Sequence, residues 1–531
     1  MGKIYFVFLF TFFISCQDHK SVTNTESASF MDIFGFFKED KIKIDSTLIL
    51  SYNDTILKAF YKKNNYEVAW DSKENRNLVL NELTQSYQDG LEPNDYYVQY
   101  LQRYETKYDS LTEPELITYD IQLTRSVQKF INHLNKGKVN PYEIYDDWDL
   151  GKKTIDASVV LQECFDQNNF TEIFEKQKPQ LKMYQQLKLA LKKLNEFPDT
   201  TVEQIDLREK FNPNTSSKSI ITIKRKLIYW GDLKRKDSAL TKLYDKETQT
   251  AVKKFQKRHG LRPDGVIGRG TIEALNYSRD QRIEQVVVNM ERLRWLPNNL
   301  GNHYILVNLP DYYLTVFKDN DSILSHKVVI GKDSRKTPLL SSKLTNIVLN
   351  PNWTVPPTIL AEDVFPEAVR SRSAFSRRGL HILDSKNREV SASKWKLSDA
   401  KRYKYVQNPS KNNSLGFMKI NFNNKYAVYL HDTNHRNYFK YDYRALSSGC
   451  VRVENPLDLA EYLLNDSENW SIEKINELTK DAKKLQTKTI NMTEDIYVHF
   501  TYNTSWMEND QLQFRDDIYC LDADLYSKLR Y

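Results

Sequence analysis

Between residues 45 and 215 apolar positions recur at helical spacing. Leu116, Leu123, Val127, Phe130, Ile131 and Leu134 fall on one face, and Gly137 with Pro141 supplies a stop. A second stripe carries Leu181, Tyr184, Leu187, Leu191 and Leu194. Such stripes predict ordinary core packing, here within a helical scaffold over 45–217. Residues 218–279 change character, with short helical patterns set between turn signals at "PDG" and "IGRG", and form a separate compact unit. The stretch "QRIEQVVVNMERLRWLPNN" predicts a linker helix over 280–301. It leads into "YILVNL", "YLTVFK", "ILSHKVVIG" and "LTNIVLNP", strand-like runs that open a domain over 302–525. Inside that domain, residues 357–415 lose the strand pattern and become charged and partly helical. An insertion of this length in a sheet domain is more often a functional lid than filler. Strand character resumes at "YAVYLHD", whose alternation sets Ala427, Tyr429 and His431 on one face and Tyr426, Val428 and Leu430 on the other. The expected fold class is multidomain α+β.

A chain of 531 residues accommodates about three or four such units. With 40% hydrophobic and 28% charged residues it lies in the globular range rather than the disordered one. A net charge of +7 without dense Lys/Arg blocks gives no footprint for a nucleic-acid partner. The start, "MGKIYFVFLFTFFISC", joins a basic Lys3 to an apolar run from Ile4 to Ile14 and the small Ser15. That run is too short to span a bilayer. It resembles a bacterial lipoprotein signal over residues 1–16, with Cys16 as the lipidated residue and Phe13 where such signals usually have Leu; a cleaved signal without lipid is the alternative. Residues 17–44, beginning "QDHKSVTNTESAS", then form a polar tether. The expectation is an exported chain held to a membrane by a lipid anchor, facing the periplasm of the cell envelope, with the outer membrane favoured.

The four cysteines, Cys16, Cys164, Cys450 and Cys520, are widely spaced and contain no CxxC pair, so neither a zinc ribbon nor a disulfide framework fits. Cys164 and Cys520 are expected to be small buried apolar residues. Cys450 lies in "HDTNHRNYFKYDYRALSSGCVRV", where Ser448 and Gly449 form a tight turn and His431 stands at a strand end. An unperturbed thiol is mostly protonated at pH 7, and a neighbouring histidine that takes the proton is expected to lower its pKa by several units. Amides of the turn, including that of Cys450, are placed to cradle an oxyanion. His431, His435 and Cys450 are also zinc-capable side chains, but histidines four apart share a face only on a helix, and this segment reads as a loop. Helix signals follow at "NPLDLAEYLL", with Asn455 as cap and Pro456 in the first position.

The stretch resembles the catalytic signature of L,D-transpeptidases with a YkuD-type domain, in the large YcbB-like subfamily. His431 matches the family's histidine, Ser447 its Ser/Thr position, Gly449 its glycine and Cys450 its nucleophile; Ser448 replaces a histidine that many members carry. Resemblance extends to "GLEPNDY", "ERLRWLP", "IGKDSRKTPLLSSKLTNIVLNPNWTVPPTI" and "YVHFTYNTSWMENDQLQFRDDIY", with Ser410 standing where glycine is common. Asp245, Thr248, Ala251, Val252, Phe255, Gln256, Gly260, Leu261, Asp264, Gly265, Gly268, Thr271 and Leu275 resemble a three-helix peptidoglycan-binding domain.

The resemblance implies a helical scaffold, that small domain, and a mainly-β catalytic domain whose residues 357–415 cap the substrate. It implies that Cys450 attacks a peptidoglycan tetrapeptide stem, releases D-alanine and passes the acyl group to a second stem as a 3-to-3 cross-link. His431 moves protons, and the carbonyl of Asp432 orients it. No metal or organic cofactor is needed, and the partners are stem peptides and glycan. Arg452 is assigned to the catalytic loop or a stem carboxylate, with a structural ion pair as the alternative. Trp353 and Tyr429 line the donor groove or serve sheet packing. An L,D-carboxypeptidase, an enzyme attaching protein to peptidoglycan, and a non-catalytic wall-binding lipoprotein are the rival functions.

Overall fold

The computed structural model describes residues 41–151, 153–199, 203–234, 236, 240–480 and 485–530. The expected signal, Cys16 and the tether up to residue 40 lie outside the described residues. Among these no helix is long and apolar enough to cross a membrane.

The first helical unit is organised by α1 (Glu113–Lys136). Its start is fixed by Thr112, whose amide donates to Glu115 Oε2 at 3.0 Å, and its end by Gly137, which adopts φ +85°. Leu123, Val127, Phe130 and Ile131 pack on Phe60, Trp70 and Phe174. A buried Asp120 ties the layers together, accepting from Tyr61 Oη at 2.5 Å and from the amides of Ala69 and Trp70 at 2.8 Å each.

The second stripe belongs elsewhere. Helix α2 (Lys182–Glu196) places Tyr184, Leu187, Leu191 and Leu194 in the core of the β-rich domain, together with Val139, Tyr145 and Trp148. The helical unit expected over 45–217 is thus divided between two cores, because periodicity shows that a face is buried and not which partner buries it. Helices α3 (Ser219–Tyr229), α4 (Lys246–Arg258) and α5 (Arg269–Asn276) close a third core of Ile220, Ile223, Val252, Phe255, Ile272 and Leu275.

The stretch expected as a linker is helix α6 (Arg279–Trp295), which is buried over most of its length and acts as a spine for its neighbours. Several of its charged residues find partners inside the fold. Glu291 accepts from Arg294 Nη1 at 2.9 Å and from the Val139 amide at 2.8 Å. Arg294 also donates to Tyr184 Oη at 2.8 Å and to the Asp89 carbonyl. Glu291→Ala would leave a fully buried guanidinium without its carboxylate, and is expected to destabilise this core by about 3–5 kcal/mol, read as a lower urea midpoint.

Strands β1 (Trp148–Asp149), β2 (His303–Asn308), β3 (Tyr313–Lys318), β4 (Asp321–Gly331) and β5 (Leu339–Leu349) precede the insertion. The strand β6 (Trp353–Thr354), just before the insertion, forms a small sheet with β7 (His381–Leu383) and β8 (Lys404–Gln407) inside it, over a core of Val364, Phe375, Trp395 and Tyr405. After it come β9 (Met418–Phe422), β10 (Leu430–His431), β11 (Ala445–Ser447), β12 (Val451–Val453), β13 (Lys488–Asn491) and β14 (Tyr497–Thr501). Pairing runs β5–β14–β2–β3–β4–β12–β10–β9 and returns from β9 to β5, so the sheet closes on itself; β1 and β13 add to β5, and β11 to β4. A hairpin, β15 (Ser505–Glu508) with β16 (Gln511–Phe514), leads to the last helix, Asp522–Arg530.

Candidate active site

Strand β10 runs parallel to β12, pairing Leu430 with Val451 and His431 with Arg452, and antiparallel to β9, pairing Leu430 with Ile420 and His431 with Lys419. Leu430, Val451 and Ile420 point into the core with no exposed surface. Side chains alternate along a strand, so His431, Arg452 and Lys419 share the opposite face, and Tyr429 and Cys450 continue it by two residues. The rings of Tyr429 and His431 meet edge to face at 5.6 Å.

The strand expected over "YAVYLHD" is shorter than its alternation suggests. Asn424 takes over the local hydrogen bonds, accepting from the amides of Tyr426 and Val428 and donating to the Val428 carbonyl. Ala427 is left in a left-handed conformation at φ +55°. That conformation costs a non-glycine residue about 1–2 kcal/mol. It leaves the Ala427 carbonyl accepting from Cys450 Sγ at 3.9 Å.

Cys450 lies in a loop braced from several sides. Gly449 adopts φ +116°, which favours glycine. Its carbonyl accepts from Thr337 Oγ1 at 2.8 Å, and its amide donates to Ser447 Oγ at 3.1 Å. Ser447 Oγ in turn donates to the Cys450 carbonyl at 2.6 Å. Ser448 Oγ accepts from Arg335 Nη1 at 2.9 Å, and Arg335 is held by Glu362 and Asp363 of the insertion. The insertion is therefore linked, through Arg335, to the residue two before the thiol.

The electrostatics differ from the activated pair expected of the sequence. Cys450 keeps some exposed surface, but its sulfur is packed among protein atoms, and burial pushes the thiol pKa up. The amide and phenol of Tyr429 and the charges of Arg452 and Lys419 oppose that rise. His431 is 5% exposed, and burial, with help from Arg452 and Lys419, brings its pKa down to about 3. The Asp432 main chain acts the other way on the imidazole, while Nδ1 has no partner of hydrogen-bonding geometry. Burial first, and then the two nearby cations, thus favour the neutral imidazole, while burial favours the protonated thiol.

The remaining expected residues also fall around this face. The Asp432 carboxylate is turned away to the Phe417 amide at 3.0 Å and Arg436 at 2.9 Å. Gly416 permits this approach, since a Cβ there would lie 2.1 Å from Asp432 Oδ2. Trp353, on β6 just before the insertion, bears on the Tyr429 phenol, whose pKa burial pushes up strongly. Arg452 has no ion-pair partner among the described residues; its guanidinium lies 5.7 Å from the Tyr438 ring centre, with Nε and Nη1 buried and unbonded. His435 stacks on Tyr438 at 5.2 Å, and no cluster of three metal-capable side chains occurs among the described residues.

Three participants were not singled out from the sequence: Lys419, Thr337 and Arg335. A signal existed for the first, since "MKINF" alternates and sets Lys419 between the buried Met418 and Ile420. Of the other cysteines, Cys164 is buried, its pKa pushed up to about 12, whereas Cys520 is exposed and not buried as expected. It occupies a turn at φ +55° after Tyr519, and Tyr519 fills the core in its place. All three described cysteines are unpaired. A cavity of about 260 Å³ between α2, the third core and the β15–β16 hairpin, lined by Phe197, Trp230 and Phe514, lies apart from this face.

Comparison with known proteins finds three family models on the chain. Residues 302–490 match the "L,D-transpeptidase catalytic domain", residues 55–191 the "Scaffold domain" and residues 216–275 the "Putative peptidoglycan binding domain". A "Putative L,D-transpeptidase" of Haemophilus influenzae is 34% identical over 251 residues, which cover 47% of this chain and 50% of that protein. The chain therefore spans about half the length of this curated relative. Among solved structures, an L,D-transpeptidase of Xylanimonas cellulosilytica is 15% identical, covering 56% of this chain and 100% of its own with a TM-score of 0.18. One from Stackebrandtia nassauensis is 14% identical, covering 58% and 100% with a TM-score of 0.20.

Proposed function

Since residues 302–490 are an L,D-transpeptidase catalytic domain of the YkuD family, set beside scaffold and peptidoglycan-binding domains, we propose that the chain cross-links peptidoglycan stems through a thioester on Cys450. The observation that carries this reading is the shared face of β10 and β12. It presents a thiol and an imidazole with an unbonded nitrogen.

In the first half-reaction the imidazole of His431 takes the proton from Cys450 Sγ as the sulfur attacks the carbonyl carbon of the stem's third residue. The tetrahedral adduct collapses, the bond to the D-alanine nitrogen breaks, and that amine leaves with the proton from the imidazolium. In the second, the side-chain amine of another stem attacks the thioester and gives a proton to His431. Sulfur leaves and is reprotonated, completing the 3-to-3 link. The Asp432 carbonyl orients the imidazole, and Tyr429 with Trp353 forms the wall beside the sulfur. Gly449 and Ser448 hold the thiol loop, the latter through Arg335. Peptidoglycan-acting domains suit a cell-envelope location; anchoring through Cys16 and a periplasmic face belong to the same proposal.

The test is product analysis. Incubated with disaccharide tetrapeptide, the chain is expected to give a cross-linked dimer that has lost one alanine, resolved by mass spectrometry. Tripeptide monomer alone would replace this reading with a carboxypeptidase.

A further inference from the structure

Lys419 lies across the β9–β10 ladder from His431, and its Nζ is 5.2 Å from the centre of the Tyr429 ring. Arg452, the parallel partner of His431 on β12, carries Nε and Nη1 buried without hydrogen bonds. Two cations therefore flank the imidazole from both neighbouring strands. Among the described residues neither has a carboxylate partner; Asp432, next to His431, is spent on Phe417 and Arg436, and Glu454, two residues after Arg452, faces Lys327 at 4.0 Å. Buried N–H groups left unbonded cost free energy that a bound anion recovers, and a carboxylate shared by a guanidinium and an ammonium makes charge-assisted bonds.

We propose that Lys419 and Arg452 together receive the terminal carboxylate of the donor stem, and that Lys419 selects stems ending one residue past the bond to be cut. The inference rests on the transpeptidase reading above. A tetrapeptide stem puts its carboxylate one residue beyond the attacked carbonyl. A pentapeptide puts a neutral amide there and carries its charge roughly 3.5 Å farther out. The pairing has a chemical consequence. Burial is the main cause that keeps the imidazole of His431 neutral, and the two cations that add to it are neutralised by the right donor, so the imidazolium formed during transfer becomes easier to make once that donor is seated.

Binding to the Cys450→Ala chain separates this from the chemistry. A tetrapeptide stem is expected to bind about 10- to 100-fold more tightly than the same stem with a C-terminal carboxamide. Adding Lys419→Met should remove most of that gap by weakening only the acid, while Lys419→Arg should preserve it. Equal affinity for acid and amide, or a gap unmoved by Lys419→Met, overturns the proposal. Failure of the transpeptidase reading would appear separately, as an unmodified Cys450 chain in the presence of tetrapeptide donor.

Discussion

Cys450→Ala is expected to lower cross-link formation by a factor on the order of 10⁴ or more, the scale seen when a covalent nucleophile is removed, and to eliminate the acyl adduct in intact-mass spectra. The loss is large because no neighbouring group can substitute. Ser448 Oγ is bonded to Arg335 at 2.9 Å, and Ser447 Oγ is consumed by the Cys450 carbonyl at 2.6 Å. Stability should barely change, since the bond from the sulfur to the Ala427 carbonyl is a long one of 3.9 Å. Thermal melts of the two proteins should therefore nearly coincide. If the alanine chain yields the same dimer at the same rate, the thioester route is wrong.

The face proposed for this chemistry was partly legible in the residues. Alternation in "YAVYLHD" puts Tyr429 and His431 together and sends Val428 and Leu430 inward, which holds although the regular strand shrinks to Leu430–His431. What alternation cannot supply is the identity of the neighbouring strands. Parallel pairing with β12 and antiparallel pairing with β9 are long-range choices, and they bring Lys419 to His431 across a gap in sequence. The same limit hides the role of α6, whose Glu291 and Arg294 look like a solvated helix face until Val139, Asp89 and Tyr184 surround them. Charge in the site depends on the same long-range packing. Proximity of a histidine argues for an activated thiolate, but burial and two unpaired cations reverse the balance.

His431→Asn is expected to slow acylation by about 10²- to 10⁴-fold, the usual worth of a positioned proton carrier, while leaving Cys450 in place. The pH dependence should identify the mechanism. In the resting protein the imidazole titrates near pH 3, so it stays neutral through the weakly acidic range, and the acid limb of kcat/KM should fall well below the pH 6.5 of an ordinary histidine. Because the thiol is raised, alkylation of the free protein by iodoacetamide should accelerate only in alkaline solution. The same depressed pKa has a stability consequence with a definite sign. The unfolded chain binds a proton at this histidine between about pH 6.5 and 3 and the folded chain does not, so acid in that window favours unfolding. His431→Asn removes this contribution, and its melting temperature should therefore decline less steeply than that of the parent as pH falls from 6.5 toward 4. An acid limb near pH 6.5 together with fast alkylation at neutral pH would mean that a thiolate–imidazolium pair exists before the donor arrives. Seating a carboxylate between Lys419 and Arg452 would then have no charge left to relieve, which ties the behaviour of this one imidazole to the receptor built around it.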